Sequence, residues 1–261
     1  MMNKINLLGI QYDDKSSYIK GARLAPPIIK EKIWSTSSNT FSENLIDIDT
    51  YLNDIGNKEI SNYLDIESIV MNKLDNNNKI FILGGDHSIT YPVLRAYYKY
   101  FGSFDVLHID AHPDLYDSLD GDKYSHACPF ARIMEDNLID NLIQVGVRTW
   151  TEHQQEQANK FKIPINDIKS IEFSDILNIE NDIYISLDMD VFDPAFAPGV
   201  SHHEPGGFTS REVITLIQNI NTRIIGADIV EYNPERDIQG ITATLAAKMV
   251  KEISSKMIEN G

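Results

Sequence analysis

His87, Asp110, His112, Asp114, Asp188 and Asp190 have the types and spacing of metal ligands. Asp110, His112 and Asp114 fall at every second position, as do Asp188 and Asp190. On an extended strand end, that spacing points side chains the same way. Carboxylates gathered so closely repel one another strongly unless they are protonated or bound to cations. Imidazole among carboxylates shifts the preference from calcium or magnesium toward manganese, iron, nickel or zinc. The lone cysteine, Cys128, leaves no cluster for a structural zinc. Six ligands are too many for one ion with an open position, and suit two ions bridged by shared carboxylates roughly 3.5–4 Å apart. Water held between two such ions loses a proton far more readily than free water, whose pKa is about 15.7, so the chemistry implied is hydrolysis by a metal-held hydroxide. Any one fragment alone is weak: Asp-x-Asp also follows strands in phosphotransferases, and His-x-Asp is often a local hydrogen-bonded pair.

The elements that must position these residues are legible as short apolar runs. Ile5–Ile10, Leu45–Ile48, Ile80–Leu83, Phe104–Ile109, Leu142–Val147, Ile183–Leu187 and Ile224–Ile229 each have strand length. Their near-continuous apolarity suits strands covered on both faces. Between them lie helical segments: Ser61–Leu74, Ser88–Phe101, Ser210–Ile220 with Thr209 or Ser210 as N-cap, and Ile241–Ile258. The alternation predicts an α/β fold with a mostly parallel sheet between helix layers. In such sheets ligand sites form beyond the C-terminal ends of the strands. The motifs obey that rule, because Gly84-Gly85-Asp86-His87, Asp110–Asp114, Asp188–Asp190 and Glu231 each end or follow an apolar run.

The chain has 261 residues and no Pro/Gly/Ser-rich linker or repeat, so one domain spanning 1–261 is expected. No apolar run approaches the length of a membrane span. The single cysteine and an opening without signal-peptide features fit the cytoplasm. Basic and acidic residues number 23 and 39, a net 23 − 39 = −16. That balance repels nucleic acid and anionic lipid and attracts small cations.

At these motifs the sequence resembles the ureohydrolase family of arginase, agmatinase, formiminoglutamase and guanidinobutyrase. Gly-Gly-Asp-His at 84–87, Asp-Ala-His-Pro-Asp-Leu-Tyr-Asp at 110–117 and Ser-Leu-Asp-Met-Asp-Val-Phe-Asp-Pro at 186–194 carry the resemblance. Pro198-Gly199, Glu231-Tyr-Asn-Pro234 and Asp237 through Thr242 extend it. Gly21 through Lys30 resembles the family's N-terminal segment, with Ala25-Pro26 and Lys30 where Gly-Pro and Arg are usual. The resemblance implies a three-layer αβα sandwich with a parallel sheet of about eight strands. It implies two Mn²⁺, one held by His87, Asp110, Asp114 and Asp188, the other by His112, Asp110, Asp188 and Asp190. Asp114 would orient the hydroxide, Glu231 would grip a guanidinium, and His126 would shuttle protons. Bidentate matching of a planar cation by a carboxylate agrees with the role of Glu231, and a near-neutral imidazole suits that of His126. A homo-oligomer, trimer or hexamer, is also implied.

For the substrate, the resemblance is closest in pattern to agmatinase, giving agmatine cleaved to putrescine and urea. Tyr124-Ser125-His126 matches that pattern, so Ser125 joins the expected substrate contacts. Asp117, Asp120 and Asp122 in the preceding loop favour a free amine over a carboxylate, with Lys123 tempering them. The Gly199–Gly207 loop is expected to form a substrate wall through His202, although His202 and His203 depart from the commoner Gly-Thr-Pro-Glu. Alternatives within the family are arginine, guanidinobutyrate, formiminoglutamate or aminopropylagmatine. A non-catalytic metal-binding relative has no need of His126 and Glu231 beside a full ligand set. A phosphohydrolase requires a Lys/Arg or Gly-rich phosphate cradle, which the motifs lack.

Overall fold

The structure, a computed structural model, describes residues 4–75, 78–164, 168 and 179–261. Among them, seven strands form one parallel sheet: β1 (Lys4–Gln11), β2 (Leu52–Glu59), β3 (Asn78–Leu83), β4 (Asp105–Ile109), β5 (Leu142–Val145), β6 (Ile183–Asp188) and β7 (Ile224–Val230). Their spatial order is β2-β1-β3-β7-β6-β4-β5, and every pairing is parallel. The helices are α1 (Ala25–Ile33), α2 (Asp65–Met71), α3 (Thr90–Phe101), α4 (Pro129–Glu135), α5 (Glu152–Phe161), α6 (Ser210–Gln218) and α7 (Ile241–Glu259).

Alternate strand residues feed two separate cores, because successive side chains leave a strand on opposite faces. Phe81, Leu83, Ile185, Leu187 and Ile229 pack with Ile29 of α1, Val213 and Leu216 of α6, and Val250 of α7. Ile80, Ile82, Val106, Tyr184 and Ile225 pack on the other face with Val70 of α2, Tyr97 of α3, Phe130 of α4 and Ala158 of α5. This is the expected three-layer sandwich. Each fully buried Leu or Ile contributes about 1.5–3 kcal/mol, so the central strands form a stiff frame for the loops at their C-terminal ends.

The elements depart from the sequence reading at a few places. Leu45–Ile48 is not a strand; it runs through an isolated bridge between Phe41 and Asp47 into a 3₁₀ turn. The strand of that region is β2, which hides from apolarity because it lies at the sheet edge with most of its residues exposed. With that exchange the described sheet has seven strands. The segment at Ser88 starts as a 3₁₀ turn over His87–Ile89, capped where Asp86 accepts from the Ser88 N–H, and α3 follows from Thr90. Thr209 caps α6 in a reciprocal capping box with Glu212.

Chain order and spatial order combine to build the site. The four motif-bearing strands β3, β7, β6 and β4 are consecutive neighbours at the middle of the sheet. Being parallel, they deliver Leu83, Val230, Asp188 and Ile109 to the same edge. Gly85 permits a close crossing there, since a Cβ would land on the Tyr12 carbonyl oxygen at the end of β1.

Candidate metal centre and active site

Three aspartates from two strand ends surround one imidazole nitrogen. His87 Nδ1 lies 3.1 Å from Asp110 Oδ2, 3.2 Å from Asp114 Oδ2 and 3.1 Å from Asp188 Oδ2. A second group sits beside it, with His112 Nδ1 at 3.0 Å from Asp190 Oδ2 and 3.6 Å from Asp110 Oδ1. Asp110 therefore offers one oxygen to each group, the arrangement of a bridging carboxylate. Asp188 gives Oδ2 to the first group, while its Oδ1 accepts the Asp190 N–H at 2.8 Å. All six expected ligands are thus brought together. The reason differs from simple strand alternation, because β4 ends at Ile109 and the loop after it reaches Asp114 in a left-handed conformation, φ 49°.

Asp110, Asp114, Asp188 and Asp190 are all buried. Among the described residues their only ion-pair partners are histidines. Burial, then the charges of Asp190 and Asp110, drives Asp188 well above the usual carboxylate range. Burial alone would lower His87 and His112, but the aspartates overcome it and raise both well above the usual imidazole range. Four buried carboxylates without a lysine or arginine fit two divalent cations, which would neutralise the group where isolated anions are costly.

A supporting layer orients these ligands. His87 Nε2 is 2.9 Å from Ser186 Oγ, which donates to Asp228 Oδ1 at 2.7 Å. Asp228 also accepts from Thr90 and Tyr184 on the α3 side of the sheet. His108, fully buried against the Phe130 ring, puts Nε2 2.7 Å from Asp110 Oδ2. Gln144 donates through Nε2 to both His108 Nδ1 and the Pro113 carbonyl. That makes Nδ1 an acceptor and leaves the proton on Nε2, so His108 is a donor to Asp110 rather than a metal ligand.

Glu231 follows β7 in a left-handed conformation, φ 63°. Its Oε1 accepts from the His87 N–H at 2.9 Å and lies 3.0 Å from His126 Nδ1. Among the described residues Oε2 has no donor. Burial raises the Glu231 pKa, but His126 and the His87 N–H outweigh it and hold the carboxylate below its usual range. Burial works against protonation of His126, yet Glu231, Asp86 and Asp114 push it up to about 9. The cavity, about 120 Å³, is lined by Asp114, Asp188, Asp190, Glu231, His112, His126 and His202 among others.

His202 lines this cavity with its ring stacked 5.3 Å from that of His126. Ser125 is buried nearby but does not line the cavity; the serine that does is Ser17. The acids of the preceding loop stay out as well. Asp122 pairs with Lys15 at 2.6 Å, and Asp117 and Asp120 are exposed, so none of the three faces the cavity. Sequence reasoning missed Ser17, Asp86, His108 and Gln154. His108 was within reach, since it stands two residues before Asp110 in the same motif. Ser17 and Gln154 carry no local signal, because only tertiary folding brings them to the rim.

Comparison with known proteins agrees with this geometry. A sequence model of the Arginase family matches residues 3–255. The chain belongs to the arginase family. Arginase 1 of Arabidopsis thaliana, a mitochondrial protein, is 40% identical over 276 residues, covering 97% of this chain and 80% of that protein. An agmatinase of Bacillus cereus is 31% identical over 265 residues, covering 96% and 91%. Among solved structures, an arginase from Medicago truncatula superposes with a TM-score of 0.92 at 36% identity, covering 98% of this chain and 88% of that one. A His/Asp cluster that could hold metal lies at the C-terminal edge of the sheet. No described helix is long and apolar enough to cross a membrane.

Proposed function

We propose that the chain hydrolyses a small guanidino cation to urea and a primary amine with two manganese ions bound, agmatine yielding putrescine being its substrate. One observation carries the hydrolase reading: the expected ligands His112, Asp114, Asp188 and Asp190 line a single cavity with the Glu231–His126 pair. His87, Asp110, Asp114 and Asp188 would hold one ion, and His112, Asp110, Asp188 and Asp190 the other. When bound, the two ions would lower the pKa of a water toward neutral and so supply the nucleophile. Asp114 accepts a hydrogen bond from that nucleophile and aims it. Glu231 Oε2 receives the guanidinium N–H groups and places the central carbon in line. His126, protonated at neutral pH, delivers a proton to the departing amine and recovers one afterwards.

For agmatine, the support is that, among the described residues, no lysine or arginine lines the cavity to pair with a substrate carboxylate. Arginine is a second reading, favoured by the Arabidopsis and Medicago arginases and by Gln154. That side chain is buried at 3% exposure, its Oε1 is engaged by Thr151, and its Nε2 has no partner among the described residues. An amide N–H at the rim suits a carboxylate. Urea release from manganese-loaded protein, with agmatine, arginine and guanidinobutyrate in parallel, decides between them. Absence of urea from all three, in protein holding two metals, would sink the guanidino reading and point to a formimino compound.

A cytoplasmic, homo-oligomeric enzyme completes the proposal. The lone buried cysteine supports a reducing compartment. Light scattering on a sizing column reads the subunit number.

A further inference from the structure

The loop between β1 and the first helical turn is stitched over the active site by its backbone and side chains. Asp13, fully buried, accepts from the N–H groups of Gly21 and Arg23 and closes the loop at its base. Lys15 N–H donates to Asp86, and the Lys15 carbonyl accepts the His126 backbone N–H at 3.2 Å. The Ile19 and Lys20 carbonyls accept from Ser201 and Asn233 on the far side. Held between these anchors, Ser17 brings its hydroxyl to 2.8 Å from His126 Nε2. The opposite ring nitrogen, Nδ1, is engaged by Glu231. Ser17 is itself exposed and lines the cavity rim, whereas His126 is buried.

From this geometry we propose that Ser17 is a positioning residue that links His126 to solvent as a hydroxyl relay. The inference rests on the hydrolase reading above. With Nδ1 fixed on Glu231, Nε2 is the nitrogen left to exchange protons, and its contact on the solvent side is Ser17. When His126 is protonated, its Nε2–H donates to Ser17 Oγ. When it is neutral, the Ser17 O–H donates back to Nε2. To recharge the ring, Ser17 gives its proton to Nε2 and takes one from a hydronium ion or protonated buffer at the rim, which leaves as water or buffer base, so the hydroxyl ends unchanged and one proton crosses. The groups facing the ring are Glu231, Asp86, Asp114 and the stacked His202, and none of them offers Nε2 a rotatable hydroxyl.

The test compares Ser17→Ala and Ser17→Thr as full, manganese-loaded chains. Ser17→Ala is expected to lower kcat about tenfold, the equivalent of one charge-assisted hydrogen bond, with KM within about twofold of wild type. Added imidazole buffer restores that kcat, and Ser17→Thr keeps wild-type turnover. Unchanged kcat in Ser17→Ala, or a loss that neither imidazole nor threonine relieves, would overturn the relay. Histidine ¹⁵N spectra of the full chain loaded with diamagnetic zinc read the same contact without turnover. The His126 Nε2 proton should exchange more slowly with water in Ser17→Ala than in wild type, and equal or faster exchange overturns the relay. A wild-type chain that keeps the contact yet releases no urea would overturn the guanidino reading, and the relay as a step of that reaction with it.

Discussion

The backbone N–H of His87 donates to the Glu231 carboxylate at 2.9 Å, although 144 residues separate them. One residue is thereby tied to both halves of the site: its ring faces three aspartates and its amide fixes the group that would hold the guanidinium. β3 and β7 are neighbours in the sheet, and the Glu231 N–H returns to the Gly85 carbonyl at 2.8 Å. The distance from bound substrate to metal pair is therefore set by backbone rather than by flexible side chains, which is what catalysis by positioning requires.

Glu231→Gln keeps the shape and the His87 contact but removes the charge. Loss of a charge-assisted bond worth about 1.5–3 kcal/mol lowers kcat/KM by about 10- to 150-fold. Steady-state urea release read beside metal content checks this, since two metals per chain should persist.

His126→Asn is expected to retain both metals and lose turnover by about 10²–10⁴-fold, the range of general acid–base catalysis. Wild-type kcat in a fully metallated variant would remove the proton-shuttle assignment.

His108→Ala removes the donor to Asp110 without touching any expected ligand. Manganese affinity should fall about 10- to 100-fold, as for other groups that orient metal ligands. Competition with a chelator of known affinity measures it, and Gln144→Leu should shift affinity in the same direction by releasing the His108 ring.

Chelation should destabilise the chain, because the four buried aspartates then lose their counter-charge. The expected result is a lower Tm after metal removal, restored by Mn²⁺. At a free concentration about 100 times Kd, the recovery is about 2.7 kcal/mol. Equal Tm with and without metal would contradict the assignment of this cluster.

Lys79 provides a pH test remote from the site. Burial, then the Arg223 charge, lowers its pKa to about 8 from the usual 10.5. The folded chain therefore binds fewer protons than the unfolded chain between those values, and its stability rises as pH climbs from about 8 toward 10.5. Thermal denaturation of wild type against Lys79→Met should show the wild type gaining over that window. Parallel curves would refute the shift.

The sequence by itself determined the chemistry of the ligand set and the layered α/β frame. Asp110, His112, Asp114, Asp188 and Asp190 announce themselves because metal binding demands particular residue types at fixed local spacing. The buried strands announce themselves because both of their faces must be apolar. What the tertiary structure decided is everything that depends on strand order. β2 was hidden because an edge strand exposes most of its side chains and so carries no continuous apolar run. The loop acids Asp117, Asp120 and Asp122 stood close to the motifs in sequence, yet the fold turned them away from the cavity. Ser17 and Gln154 entered it from distant segments, and Asp228 reached His87 through Ser186. Local spacing records which groups can act together along one strand end; only the β3-β7-β6-β4 neighbourhood fixes which strand ends meet, and no local pattern encodes it.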